Sequence, residues 1–250
     1  MKAWIWALWL SFLVMFAQAQ DEKTINDANA EKRTVEAFHS VEVSGAIELI
    51  LTQSPESAVA ISAADPADVP RIVTETRGGV LHIHIKDGNN WWKNQWNTMG
   101  RKFRAYVSAP DFRSISSAGS GSIRIMGLLK AEHLDLASAG SGNIEGRLEA
   151  DRVEIVQSGS GNVKLQGKVT HAEVRCSGSG NFRSESLEMD YCDISMSGSG
   201  NADFTVNKEL TARVSGSGNI RYRGAGLIRD IRVSGSGRIR RVDNAETSTL

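Results

Sequence analysis

The stretch EIVQSGSGNVK at Glu154–Lys164 decides how the whole chain is read, because its parts recur. AGSGS stands at Ala118–Ser122 and AGSGN at Ala139–Asn143. SGSGN follows at Ser158–Asn162, Ser177–Asn181, Ser197–Asn201 and Ser215–Asn219, and SGSGR closes the series at Ser234–Arg238. The first glycines of these phrases are Gly119, Gly140, Gly159, Gly178, Gly198, Gly216 and Gly235, spaced 18 to 21 residues apart. A repeat near 20 residues is the mark of a stacked array, in which no single unit can bury its own apolar face.

Alignment on that first Gly brings out a second period, of two. Four residues before it stand Ile115, Leu136, Ile155, Val174, Ile194, Ala212 and Ile231; four after it stand Ile123, Ile144, Val163, Phe182, Ala202, Ile220 and Ile239. The neighbouring columns are polar. Five before come the acids Asp135, Glu154, Glu173, Asp193 and Asp230, and five after come the bases Arg124, Lys164, Arg183, Arg221 and Arg240. Even offsets read as inward and odd offsets as outward, which is strand alternation. Both glycines of each phrase fall on the inward side, where a missing side chain permits a sharp bend or a close backbone approach. Each phrase therefore predicts a tight corner, with the seven first glycines as structural turns. The Asn that follows suits a corner because it tolerates left-handed backbone.

Coils stacked at about 4.8 Å per rung predict an all-β fold. The specific expectation is a β-solenoid, a right-handed parallel β-helix of ~19-residue coils with irregular N-terminal strands. Antiparallel hairpins joined by SGSG loops share the period. They would not set equivalent residues in one column seven times, or favour the Ser and Asn ladders of parallel stacks.

The remaining segments set the domain organisation. Lys2, the apolar run Ala3–Phe16 broken only by Ser11, and Ala17-Gln18-Ala19 read as a signal peptide over residues 1–19. The run is short for a membrane span of about 20 apolar residues, and no second such run follows, so no transmembrane span is expected after cleavage. Residues 20–34 read as a flexible polar leader, 35–242 as the β-helix domain and 243–250 as a disordered tail. Within the domain, residues 35–110 are expected as irregular coils that cap and extend the stack, and 111–242 as regular repeats. Val41, Val43, Ser44-Gly45, Ile47 and Leu49 form an abbreviated copy of the phrase. Ala58–Ala63, Arg71–Thr76, Leu81–Ile85 and Phe103–Ser108 read as further strands.

The chain offers little catalytic chemistry. With 29 basic and 29 acidic side chains its formal charge is zero, which argues against attraction to nucleic acid. His39, His82, His84, His133 and His171 are scattered. His82 and His84 share a strand face without a Cys or carboxylate at metal-ligand spacing. The repeated serines have no local base, and the glycine phrase lacks the G-K-[ST] ending and following helix of a phosphate loop. Acids spread one per coil argue against a polysaccharide hydrolase or lyase. No catalytic residue, cofactor or metal is predicted. Cys176 and Cys192 both fall inward, but four residues apart in register, or roughly 13 Å along a strand. They are expected as buried free thiols.

Two groups stand out as a candidate ligand surface. Trp91, Trp92 and Trp96 lie in the segment 87–101, where aromatic rings can stack on sugars, enter a membrane interface or fold back over the stack. Arginines crowd the end of the chain, among them Arg221, Arg223, Arg232 and Arg240, as a basic surface for an anionic envelope polymer or partner.

VEVSGAIELILTQ at Val41–Gln53, GGVLHIHI at Gly78–Ile85, YVSAPDFRSISSAGSG at Tyr106–Gly121 and the six later SGSG phrases carry a family likeness over roughly residues 36–242. On them the sequence resembles the putative auto-transporter adhesin, head GIN domain family of bacterial exported proteins. The resemblance implies a β-helical fold without catalytic residues and an adhesin-like or structural envelope role. It also implies export to the periplasm, outer-membrane surface or exterior of a Gram-negative bacterium. Expected partners are a glycan, an envelope polymer or a protein. The alternatives are a periplasmic protein-binding accessory module and, behind it, a carbohydrate-active enzyme on a β-helix.

Overall fold

The computed structural model describes residues 27–86 and 102–242. The expected signal peptide, the start of the leader, the Trp segment and the tail lie outside the described residues.

The chain forms β1 (Glu31–Arg33), β2 (Ser40–Ser44), β3 (Ile47–Gln53), β4 (Ala58–Ala63), a 3-10 turn (Pro66–Arg71), β5 (Ile72–Arg77), β6 (Val80–Ile85), β7 (Phe103–Ala109) and β8 (Ser114–Gly119). Five long strands follow: β9 (Ile123–Gly140), β10 (Ile144–Gly159), β11 (Asn162–Gly178), β12 (Asn181–Gly198) and β13 (Asn201–Gly216). Three shorter strands close the stack: β14 (Asn219–Arg223) completes the rung above, and β15 (Leu227–Gly235) with β16 (Arg238–Arg241) forms the last rung. From β8 onward every pairing is parallel and the phrases stack in register, with Gly119 opposite Gly140, Gly140 opposite Gly159, and so on to Gly235. This is a β-solenoid with coils of about 19 residues.

The aliphatic columns are the core. The twelve side chains four residues before or after the first six phrase glycines are each no more than 1% exposed. Alternation thus becomes stacking: a residue that faces inward in one coil lies on its equivalents above and below.

The corners follow from the glycines. The first Gly of each phrase has φ between +110° and +132°. A Cβ placed on Gly140 would lie 1.9 Å from the Gly119 carbonyl oxygen. The second Gly needs only the close approach: a Cβ on Gly161 would lie 1.9 Å from the Gly142 oxygen. No non-glycine among the described residues has positive φ, so the Asn after each phrase is not a left-handed corner residue as expected. Asn143, Asn162, Asn181, Asn201 and Asn219 instead join side-chain amides from rung to rung at 2.9–3.3 Å. At rung spacing identical amides can satisfy one another.

A second corner lies within the long strands, where the ladder skips Glu132, Asp151, Thr170 and Asp190.

The N-terminal end is capped. Val41 pairs with Ile115 and Leu49 with Ile123, and Gly45 lies against Gly119; the abbreviated copy is a true rung. Beyond it, β6 pairs with β2 and β7 with β3 to make an outer rung. The chain thus enters at the second rung, visits the end and returns. There β4 pairs antiparallel with β7, β5 with β6, and β1 with β4. Part of the expected flexible leader is therefore ordered, a correction with a simple cause. The free edge of β4 offers unpaired backbone groups, and β1 takes them. Asn29 Nδ2 also donates to the Ala63 carbonyl at 3.1 Å, and the Tyr106 hydroxyl donates to Asp27 at 2.8 Å. Burial pushes the Asp27 carboxyl up, but hydrogen bonds from Tyr106, Ser62 and the Asn29 backbone outweigh it and leave it below its ordinary value.

Among the described residues no helix is long and apolar enough to cross a membrane.

Candidate binding surfaces

Along the second corner runs an open trough of about 800 Å³, lined by residues of β9 to β13. On one side Lys130, Glu149, Lys168 and Glu188 stand in register, alternating in sign, with Lys130 3.3 Å from Glu149. At the bend itself stand Glu132, Asp151, Thr170 and Asp190, with Asp111 at the outer end. The sequence reading missed this site because it counted charges only five residues either side of the glycine. Eight residues before it the column reads Asp111, Glu132, Asp151, Thr170, Asp190 and Lys208, and that signal marks the trough. Chemically it is a strip of carboxylates and ammonium groups repeating at rung spacing. It can donate to and accept from hydroxyl groups along an extended ligand, through many weak contacts.

Beside the trough, the His171 and Tyr191 rings stack at 4.8 Å and 8°. Lys208 of the next rung sits over the Tyr191 ring at 5.5 Å. Both faces of that tyrosine are occupied by the protein, so it is no platform for a sugar ring.

The charged columns five residues from the glycine do not stand as bare rows of like charge. Arg175 bonds both Glu154 and Glu173. Arg213 holds Asp193 at 3.1 Å and approaches Asp230 at 3.7 Å. These arginines, three residues before the glycine, interleave with the acids and remove the repulsion that the bare column suggests.

The predicted basic surface is narrower than the sequence implied. Arg221 donates twice to Asp203, at 2.5 and 2.9 Å. The bonds to Asp203 hold its guanidinium above its ordinary value, and the Asp203 side chain is only 4% exposed. Arg232 is 3.0 Å from Asp230, and Arg229 is 2.6 Å from Glu209. Arg223 is half-buried, with a nitrogen that lacks a partner among the described residues. Arg240 is exposed, with Arg238 and Arg241 beside it in β16, and none of the three has an ion pair among the described residues. The structure thus sets Arg221 and Arg232 into ion pairs and leaves Arg240 available.

Trp91, Trp92 and Trp96 lie outside the described residues.

His82 is not isolated as expected: its Nδ1 lies 3.2 Å from Glu42 across the parallel pair. Sequence spacing could not show that carboxylate, 40 residues away. Among the described residues no three His, Cys, Asp or Glu gather as a metal site. Cys176 and Cys192 are buried and free. Cys176 is opposite Met196 and Cys192 opposite Ala172, the four-residue offset that keeps them from bridging. Burial pushes the Cys176 thiol up to about 12 and Cys192 still higher.

Comparison with solved structures places the same fold elsewhere. A putative adhesin from Bacteroides fragilis superposes with a TM-score of 0.75 at 24% identity, over 85% of this chain and 96% of that one. A putative adhesin from Parabacteroides distasonis gives 0.67 at 22%, over 85% and 96%. A protein from the same species described as a putative lipid binding protein gives 0.66 at 21%, over 86% and 98%. At these identities the likeness is one of fold. No curated protein matches the chain. The family model described as "Putative auto-transporter adhesin, head GIN domain" matches residues 37–226. That span takes in the capped rungs and the stacked phrases up to β14, and the chain belongs to this family.

Proposed function

We propose that the protein is a non-enzymatic module of the Gram-negative cell envelope that binds an extended surface glycan along its lateral trough. The trough carries the reading. It presents hydrogen-bonding groups at one repeat per rung over five rungs, so a polymer of sugars meets many equal, weak contacts, and avidity rather than a deep pocket supplies affinity. The membership in an adhesin-like family supports an exported, surface-binding role. An open, shallow strip suits binding better than turnover, because hydrolysis of a glycosidic bond needs two carboxylates fixed around one bond.

A glycan array with the purified protein tests this. Binding to polymeric glycans should weaken when Glu149→Gln, Lys168→Gln and Glu188→Gln are combined. A parallel variant, Trp91→Ala/Trp92→Ala/Trp96→Ala, asks whether the Trp segment contributes. Release of reducing ends from a bound polysaccharide would overturn the non-enzymatic reading. An array with no polymeric hit would overturn the glycan.

A further inference from the structure

The last rung differs from all others. In β15, Leu227, Ile228, Ile231 and Val233 are 76%, 54%, 37% and 44% exposed. Ile228, Ile231 and Val233 continue columns whose members in the rung above, Leu210, Ala212 and Val214, are no more than 3% exposed. Among the described residues the core columns therefore run to this end and stop uncovered, whereas antiparallel strands close the other end. The side chains that face outward here are basic. Residues 227–242 hold Arg229, Arg232, Arg238, Arg240 and Arg241 against Asp230 alone, a net charge of +4 from five bases and one acid. Asp230 is already shared between Arg213 and Arg232.

This end is an apolar floor with an arginine rim, and its charge selects the occupant. Even with Glu209 paired to Arg229, Arg238, Arg240 and Arg241 leave the rim positive, so a second copy meeting it head-on would set like charges together. A soluble polyanion would neutralise the rim but leave the floor in water. An anionic lipid surface answers both, because apolar side chains enter the acyl boundary while guanidinium groups reach the headgroup phosphates. We infer that the terminal rung docks end-on onto an anionic lipid surface. This goes beyond glycan binding: it uses the end of the stack and leaves the lateral trough free.

Vesicle co-sedimentation of the exported protein tests it, with phosphatidylglycerol–phosphatidylcholine vesicles against pure phosphatidylcholine. Binding should require the anionic lipid and weaken with salt. Arg238→Gln/Arg240→Gln/Arg241→Gln should lower the partition coefficient on the order of 100-fold, from the usual contribution of each surface arginine. Leu227→Ser/Ile228→Ser should weaken binding while leaving it salt-dependent. Arg147→Gln/Lys164→Gln on the exposed lateral face should change nothing. Equal binding to neutral vesicles, or an Arg triple variant that binds like the parent, overturns the inference. So does a dimer in sedimentation velocity that Ile231→Arg dissociates, because the end would then belong to a second copy.

Discussion

Replacing Gly159 with alanine asks most directly whether close stacking of corners holds this fold together. Gly159 has φ +119°, and a non-glycine in left-handed backbone costs about 1–2 kcal/mol. The larger cost is steric. The added Cβ would lie 2.1 Å from the Gly140 carbonyl oxygen, where ordinary contact begins at 3.4 Å. That oxygen accepts from the Ser160 backbone N–H at 2.9 Å, so the rung must part by more than an ångström or lose the bond. Overpacking of this kind typically costs 1–3 kcal/mol, and a lost hydrogen bond about 1 kcal/mol. The sum is about 3–6 kcal/mol. Gly78→Ala is the control. Gly78 has φ +58° in the turn between β5 and β6, and a Cβ there meets nothing within 4 Å, so it should lose only the backbone share, about 1–2 kcal/mol. Urea unfolding followed by far-UV circular dichroism reads both, as a shift in midpoint at constant slope. If Gly159→Ala costs no more than Gly78→Ala, close approach of the rungs is not what demands glycine, and the account of the corners fails.

Arg221→Ala should destabilise by about 2–3 kcal/mol, because it leaves the buried Asp203 carboxylate without its two charged hydrogen bonds; adding Asp203→Ala should recover most of the loss in the same urea assay. Cys176 and Cys192 should resist a thiol reagent in the folded protein and react on unfolding. Their raised pKa also has a stability consequence. The buried Cys176 thiol stays protonated up to about 12 while the unfolded thiol ionises near 9.0. Its contribution is thus intact below pH 9 and lost as pH rises from there towards 12. A Cys176→Ala/Cys192→Ala variant should show a shallower alkaline decline than the parent, and an unchanged slope would refute the assignment.

Much of the rung was legible because its determinants are local and repeated. Ile155 and Val163 flank Gly159 at equal offsets, and the same spacing recurs six times, so strand, corner and inward face could be read without coordinates. The candidate trough was legible only in part. Its charges lie eight and ten residues before the glycine, beyond the short window in which alternation is obvious, and the strand bends between them at the second corner. Arg221 and Arg232 looked free because their partners, Asp203 and Asp230, are set by register and side-chain reach rather than by local net charge.

By itself, the sequence determined the repeat, the alternation and the need for glycine at the corners, since each is a property of a residue and its near neighbours. Tertiary structure alone decided the order of the N-terminal rungs, the antiparallel cap, the pairing of β1 and the uncovered last rung. Those depend on which backbone edges remain unpaired once coils have stacked, and an edge belongs to the assembled stack, not to any one segment.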